Sequence, residues 1–364
     1  MRATVDAKEF SQTLNKVIKV IKRSRVPILE GALVQIKDGR CTLTATDFTT
    51  WLTAEIPAVG DDLSFVFQRP KDTAQACKHF EGRLMLETEG KSTGKDQWLQ
   101  LTMSCGPRAA QVMAFLPEDY PAIPRNEARH TYTVNAAQLL ERVEHVKYAL
   151  KKPDTRLAAK FTHIQFGSNK VYGVDGHRLA WDVNDSLEVR QPFMVLPEAL
   201  EYLKFFDDQE ITAHMGENNL QMTNGTISIQ TRIEGPLVFN VDGAVPKEFA
   251  EEFYIYPKGF LRELDYLKKM ARNTDKAYIY FSGDRLSLTA VSGNYSTQVE
   301  IDGTHNIGFG FELCYMVDAL RQFREMSYVK MKVNSSVAPI ILEAEGRSDY
   351  AMVLPVRIRQ AVAA

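Results

Sequence analysis

The chain has 364 residues, 45% hydrophobic and 25% charged, with a formal net charge of −2. Such a length accommodates two or three domains with separate cores, and the composition excludes a disordered or fibrous protein. No apolar opening segment resembles a signal peptide and no run reaches membrane-spanning length, so a cytosolic protein without a membrane partner is expected.

Cys41, Cys77, Cys105 and Cys314 are scattered with no CxxC pair, which predicts reduced, buried thiols. Neither a metal set nor a cofactor motif stands out. EGKST and TGKD (89–96) look like a phosphate loop, but no glycine stands five positions before Gly90 and no helical pattern follows. A hairpin tip is expected there.

Taken in order, the elements repeat. ATVDAKEFSQTLNKVIKVI opens the chain, YTVNAAQLLERVEHVKYAL begins at 132 and FYIYPKGFLRELDYLKKMA at 253. Each has an extended segment ending in Val5, Val134 or Ile255. An apolar stripe at helical spacing follows: Phe10, Leu14, Val17; then Leu139, Val143, Val146; then Phe260, Leu264, Leu267. A second helical phrase recurs as FQRPKDTAQACKHF, MVLPEALEYLKFF and FELCYMVDALRQF. Between them lie alternating runs such as CTLTATDF, NKVYGV and RLSLTAV, and NLQMTNGTISIQTRI carries an Asn-Gly hairpin turn.

The repeat predicts an α+β chain of three similar domains, 1–125, 128–246 and 250–364, each with two helices against antiparallel strands. The linkers fall in PAIPRNEARH and NVDGAVPKEFAEE. Sheet edges left by three such units invite pairing across copies, and a symmetric dimer of six units would close a ring. An apolar QVMAFL run marks one dimer edge, with Gln111, Met113 and Phe115; the other is expected around Ala277–Phe281 or Ser296–Ile301, near Met270.

Charge is segregated. Stretches 8–25, 68–80, 136–152, 195–206, 257–272 and 312–325 hold 21 basic and 11 acidic side chains, against 23 and 35 elsewhere. Helices facing one side of a ring would make a basic lining for phosphates, without base readout. Charge clustering places Lys22, Arg25 and Lys152 there.

VYGVDGHRLAW (171–181) brings Asp175, His177 and Arg178 together. A hydrolase built on Asp175 and His177 needs a nucleophile or metal set, and no HxH, HExxH or GxSxG supplies one. No catalytic residue is assigned.

The triplication, with SRVPILEGALVQIKDGRCTLTATDF, FLPEDYPAIP, VDGHRLAW and YAMVLPVRI in that order, resembles the bacterial DNA polymerase III beta subunit, the sliding-clamp family. The resemblance spans essentially the whole chain. It implies a non-catalytic homodimeric ring of six domains, helices inside and sheet outside, which encircles duplex DNA in the cytoplasm and tethers the replicative polymerase. A separate ATP-driven loader places it there.

The resemblance also implies a groove for client peptides, usually Gln-led and ending in Leu and Phe. Matching positions are Leu157, Val174, Gly176, His177, Arg178, Leu179, Met352, Leu354, Pro355, Val356 and Arg357, with Val245 on a wall that departs from the family pattern over 239–246. Asp175 is expected to orient a neighbour. For DNA the matches are Arg23, Lys78 and Lys151. A clamp-like paralogue that scaffolds partners without a replicase is the other reading, because that wall and the RQAVAA tail differ.

Overall fold

A computed structural model describes residues 1–93, 96–154, 156–185, 187–235, 238–271, 276–290 and 292–358. Strands Arg83–Thr93 and Asp96–Cys105 pair up to Thr93↔Asp96; residues 94–95, where the expected hairpin tip falls, and the tail 359–364 lie outside the described residues.

All six anticipated helices form. The first three openings share a stop-and-start chemistry: an extended strand, then a residue suited to a helix N-terminus. Asp6 accepts from Glu9 N at 2.9 Å, and Asn135 accepts from Gln138 N at 2.9 Å. In the third copy Pro257 supplies the first helical position. Helices Ala7–Val17, Ala136–Lys147 and Pro257–Met270 follow. Each predicted stripe is buried, from Phe10, Leu14 and Val17 to Phe260, Leu264 and Leu267. Burying one such side chain contributes about 1.5–3 kcal/mol, so the stripe rather than propensity holds the helix.

The second helices are Pro70–Cys77, a Pro197–Leu200 turn continued as 3-10 helix through Phe206, and Leu313–Arg321. One further helix, Val241–Ala244, lies where a polar linker was expected; Asn240 caps it by accepting from Gly243 N at 3.0 Å. Four residues are too few for periodicity to announce.

Contacts divide the described chain into two compact units: residues 1–138 with 201–233, and 139–200 with 234–364. The first holds a twelve-stranded antiparallel sheet. Within it Ala3–Val5 pair with both Leu84–Leu86 and Ala58–Gly60, so eight strands close on themselves. Strand Thr50–Gly60 then pairs with Ile227–Arg232, through Leu52↔Ile229 and Trp51↔Gln230. This joins the first copy of the repeat to the second.

The second unit repeats the device. In its nine-stranded sheet Arg178–Val183 pairs with Asp349–Val353, joining second copy to third. Its core is aromatic, around Phe253, Phe260, Phe281 and Phe309. Edge joining across copies, expected from the repeat, is therefore built twice within one chain.

Two edges remain instructive. Arg108–Ala114 pairs residue for residue with Leu99–Cys105, but on the other side of that strand only Ala114 and Phe115 meet Phe67 and Val66. Gln111 is exposed and Met113 is 53% exposed; Phe115 is half-buried. In the four-stranded sheet Gly293–Gln298 is an edge strand. Tyr278–Ser282 is paired on both sides, with Arg285–Ala290 and Phe309–Glu312, so Ala277–Phe281 is not an open edge. Its alternation reflects a sandwiched strand. Met270 ends its helix half-buried against the aromatic core.

Candidate functional site

In the second unit, strand Lys170–Val174 runs into the turn at Asp175 and returns as Arg178–Val183. Gly176 takes φ +91°, the conformation that suits glycine at this tight turn. Asp175 is buried, and its Oδ1 accepts from His177 N at 2.8 Å and Arg178 N at 2.9 Å. Its Oδ2 receives Arg178 Nε at 3.0 Å. Both carboxylate oxygens are thus committed to holding the turn. Asp175 orients its neighbours.

Arg178 reaches further than its sequence position suggests. Its Nη1 lies 2.6 Å from Asp318 Oδ2, and its guanidinium sits 4.8 Å over the Tyr315 ring. The exposed His177 imidazole stacks on the same Tyr315, 5.7 Å between ring centres and 16° between planes. Tyr315 and Asp318 are the site residues missed in the sequence. They stand three apart on helix Leu313–Arg321, which aims both at one face, but that signal names no partner.

The apolar positions do meet. Val174, Leu179 and Met352 belong to one cluster with Tyr172, Trp181, Val241 and Ile341, and Val245 and Leu354 pack on it half-buried. Leu179 and Met352 are direct cross-strand partners. The chain end continues the ladder: Leu354 N donates to His177 O at 2.8 Å, and Val356 N donates to Gly310 O at 2.8 Å. Gly310 is required there, since a Cβ would lie 2.6 Å from Val356 O. Pro355 and Val356 are half-buried and Arg357 is exposed. Leu157 is half-buried in a turn closed by its N–H to Asp154 O at 3.0 Å, and is not among the described residues packed on the cluster.

The wall that departs from the family pattern is built with other means. Buried Gln165 accepts from Phe239 N at 2.7 Å while donating to Lys160 O at 2.7 Å. Lys170 Nζ holds Asp242 at 3.0 Å. These bonds lay Val241, Ala244 and Val245 on the cluster. The result is an apolar floor with a half-exposed rim, flanked by an aromatic-stacked imidazole.

The predicted DNA residues fall in separate places. Lys22 and Arg23 line a cavity of about 230 Å³ in the first unit with Arg69 and Lys71, and Lys22 Nζ also pairs with Asp47 at 2.7 Å. Arg25 is exposed, as is Lys78, whose Nζ donates to Gln75 Oε1 at 3.0 Å. In the second unit Lys151 lies 5.2 Å over the Phe161 ring at the border of the apolar cluster, and Lys152 is exposed. A basic group not singled out from sequence lines a cavity of about 390 Å³ between the two helices of the last copy: Lys258, Arg262, Lys268, Arg321 and Arg324, with Asp265. The charge excess of those helices was its only sequence signal.

Burial pushes the Cys41 and Cys77 thiols up to about 12, which makes them inert. Among the described residues no group of three or more His, Cys, Asp or Glu is placed to hold a metal ion. No described helix is long and apolar enough to cross a membrane.

Residues 1–124 match the family model described as DNA polymerase III beta subunit, N-terminal domain. Residues 1–124 are thus similar to the N-terminal domain of a DNA polymerase III beta subunit. Full-length similarity extends this: a beta sliding clamp from Staphylococcus aureus is 22% identical over 98% of this chain and 99% of the relative. A sliding clamp from Caulobacter crescentus superposes with a TM-score of 0.87 at 14% identity, covering 98% of this chain and all of that one. A clamp from Bartonella birtlesii, solved bound to griselimycin, gives a TM-score of 0.83 at 17% identity, over 98% of this chain and 100% of that one. The fold is that of the sliding clamps.

Proposed function

We propose that this chain is a sliding clamp, a non-catalytic processivity factor. Two copies close head to tail into a ring that encircles duplex DNA and tethers the replicative polymerase. One observation carries the reading. Strand pairs Thr50–Gly60 with Ile227–Arg232 and Arg178–Val183 with Asp349–Val353 join successive copies of the repeat edge to edge. The same geometry applied once more between chains would join the part-open edge Arg108–Phe115 to the edge strand Gly293–Gln298.

The three domains of this reading are 1–125, 128–246 and 250–364. The segregated basic helices support a lining that holds phosphates without reading sequence, with Lys22, Arg23, Arg25, Lys78, Lys151 and Lys152 joined by the basic group of the last copy. The apolar cluster under His177 supports a groove for short Leu- and Phe-bearing peptides of the polymerase, the loader and other clients. Its setting would be the bacterial cytoplasm, at replicating DNA.

The test is mass in solution. At micromolar concentration the chain, of 41.2 kDa, should run as a dimer, and Met113→Asp, a charge on the exposed edge, should run as a monomer. A monomeric wild type rejects ring closure, and a dimeric Met113→Asp rejects this edge.

A further inference from the structure

Strand Glu251–Ile255 carries Tyr254 outward, 40% exposed, and the loop after the last helix presents Tyr328, 46% exposed. Their rings meet edge to face at 6.4 Å. Tyr256, at the start of helix Pro257–Met270, packs on Tyr328 with ring centres 4.9 Å apart. Three tyrosines so placed are not in the apolar core, and the clamp reading gives them no task.

They border a cavity of about 490 Å³ lined by Tyr254, Asp302, Met326, Tyr328, Lys330 and Glu345, among others. Lys330 is already neutralised: its Nζ lies 3.5 Å from Glu252 and 3.9 Å from Glu343, and 5.5 Å over the Tyr254 ring. Among the described residues, neither Asp302 nor Glu345 has a basic partner. The cavity therefore presents electron-rich ring faces together with two uncompensated carboxylates. Lys330 demonstrates within the chain that this aromatic surface accepts a cation.

We infer that this cavity is a second docking site, independent of the groove under His177, for an arginine-bearing segment of a partner protein. Arginine fits better than lysine because its planar guanidinium stacks on a tyrosine face while its edge donates to a carboxylate. Charge complementarity decides the occupant, since an acidic segment would meet Asp302 and Glu345.

The test is fluorescence anisotropy of a labelled Gly-Arg-Gly-Arg-Gly peptide on the full-length protein, with the citrulline peptide as control. Citrulline keeps the shape and removes the charge. Binding should weaken about tenfold with citrulline, with Tyr328→Ala and with Glu345→Gln, while Tyr328→Phe, which keeps the ring, stays within about twofold. Equal binding of the arginine and citrulline peptides overturns the assignment. So does wild-type affinity in both Tyr328→Ala and Glu345→Gln, which would place the arginine peptide elsewhere on the acidic surface. Binding of the Gln-led client peptide should be unchanged in all three variants, which separates this site from the groove.

Discussion

Asp182 and Asp349 are direct cross-strand partners in the pairing that joins the second and third copies, and both are buried. Like charges opposite each other on a sheet repel, so the join depends on what surrounds them. Asp182 receives Arg142, Ser348 Oγ at 3.1 Å and His145 Nδ1 at 2.7 Å. Arg347 clasps Asp349 through Nε at 2.6 Å and Nη2 at 3.0 Å, and Nη2 also lies 3.0 Å from His145 Nε2. Burial pushes the Asp182 carboxyl up, but the His145 hydrogen bond and the Arg142 charge outweigh it and hold the group below the usual carboxylate range.

Removing one member should therefore expose the repulsion. Arg347→Ala is expected to cost about 3 kcal/mol of unfolding free energy by urea denaturation, because it orphans a buried carboxylate. Arg347→Ala with Asp349→Ser should recover much of that. If the double variant is as unstable as the single one, the cost comes from lost packing on Phe323 rather than from charge.

Acid should act on the same unit through histidine. Burial lowers the His305 and His163 values below their ordinary 6.5. The unfolded chain then binds protons that the folded chain refuses, so stability is complete above about pH 6.5 and falls as pH drops below it. Glu251 and Asp182, held low in the fold, add a further loss at more acidic pH. The thermal midpoint should fall between pH 7 and pH 5, and His305→Phe with His163→Gln should flatten that slope. An unchanged slope would mean that other groups carry the acid response.

The groove reading makes a graded prediction. A labelled Gln-led peptide with Leu and Phe should bind with micromolar affinity, about 8 kcal/mol. His177→Ala removes a rim contact and should weaken it about fivefold, near 1 kcal/mol. Deleting residues 355–364 should abolish binding. Met352 and Val353 must stay, because they are rungs of the inter-copy sheet. Equal anisotropy curves for the three dimeric proteins would put the client site elsewhere.

How much of this was legible follows from distance along the chain. Stripes such as Phe10, Leu14 and Val17 lie within one helix, so their period announces a buried face and, by repetition, the threefold plan. The Asn224-Gly225 turn was equally local, with Gly225 at φ +90°. Arg178 and Asp318 are 140 positions apart, and Ser348 and Asp182 are 166 apart. Such pairs depend on strand register between copies, which no local pattern encodes. The resemblance named positions for the proposed groove, but not Tyr315 or the Gln165 and Lys170 bonds that hold the altered wall. Tyr278–Ser282 misled for a related reason: alternation is the same for an edge strand and for one paired on both sides.

Topological retention tests the central claim most directly. With the cognate loader and ATP, the clamp is assembled on nicked circular DNA and the plasmid is then cut once, at constant salt. The ring account predicts that the protein stays on the circle and leaves soon after linearisation, with little dependence on sequence. Equal retention on circular and cut DNA would contradict encirclement and leave ordinary surface binding through the basic helices.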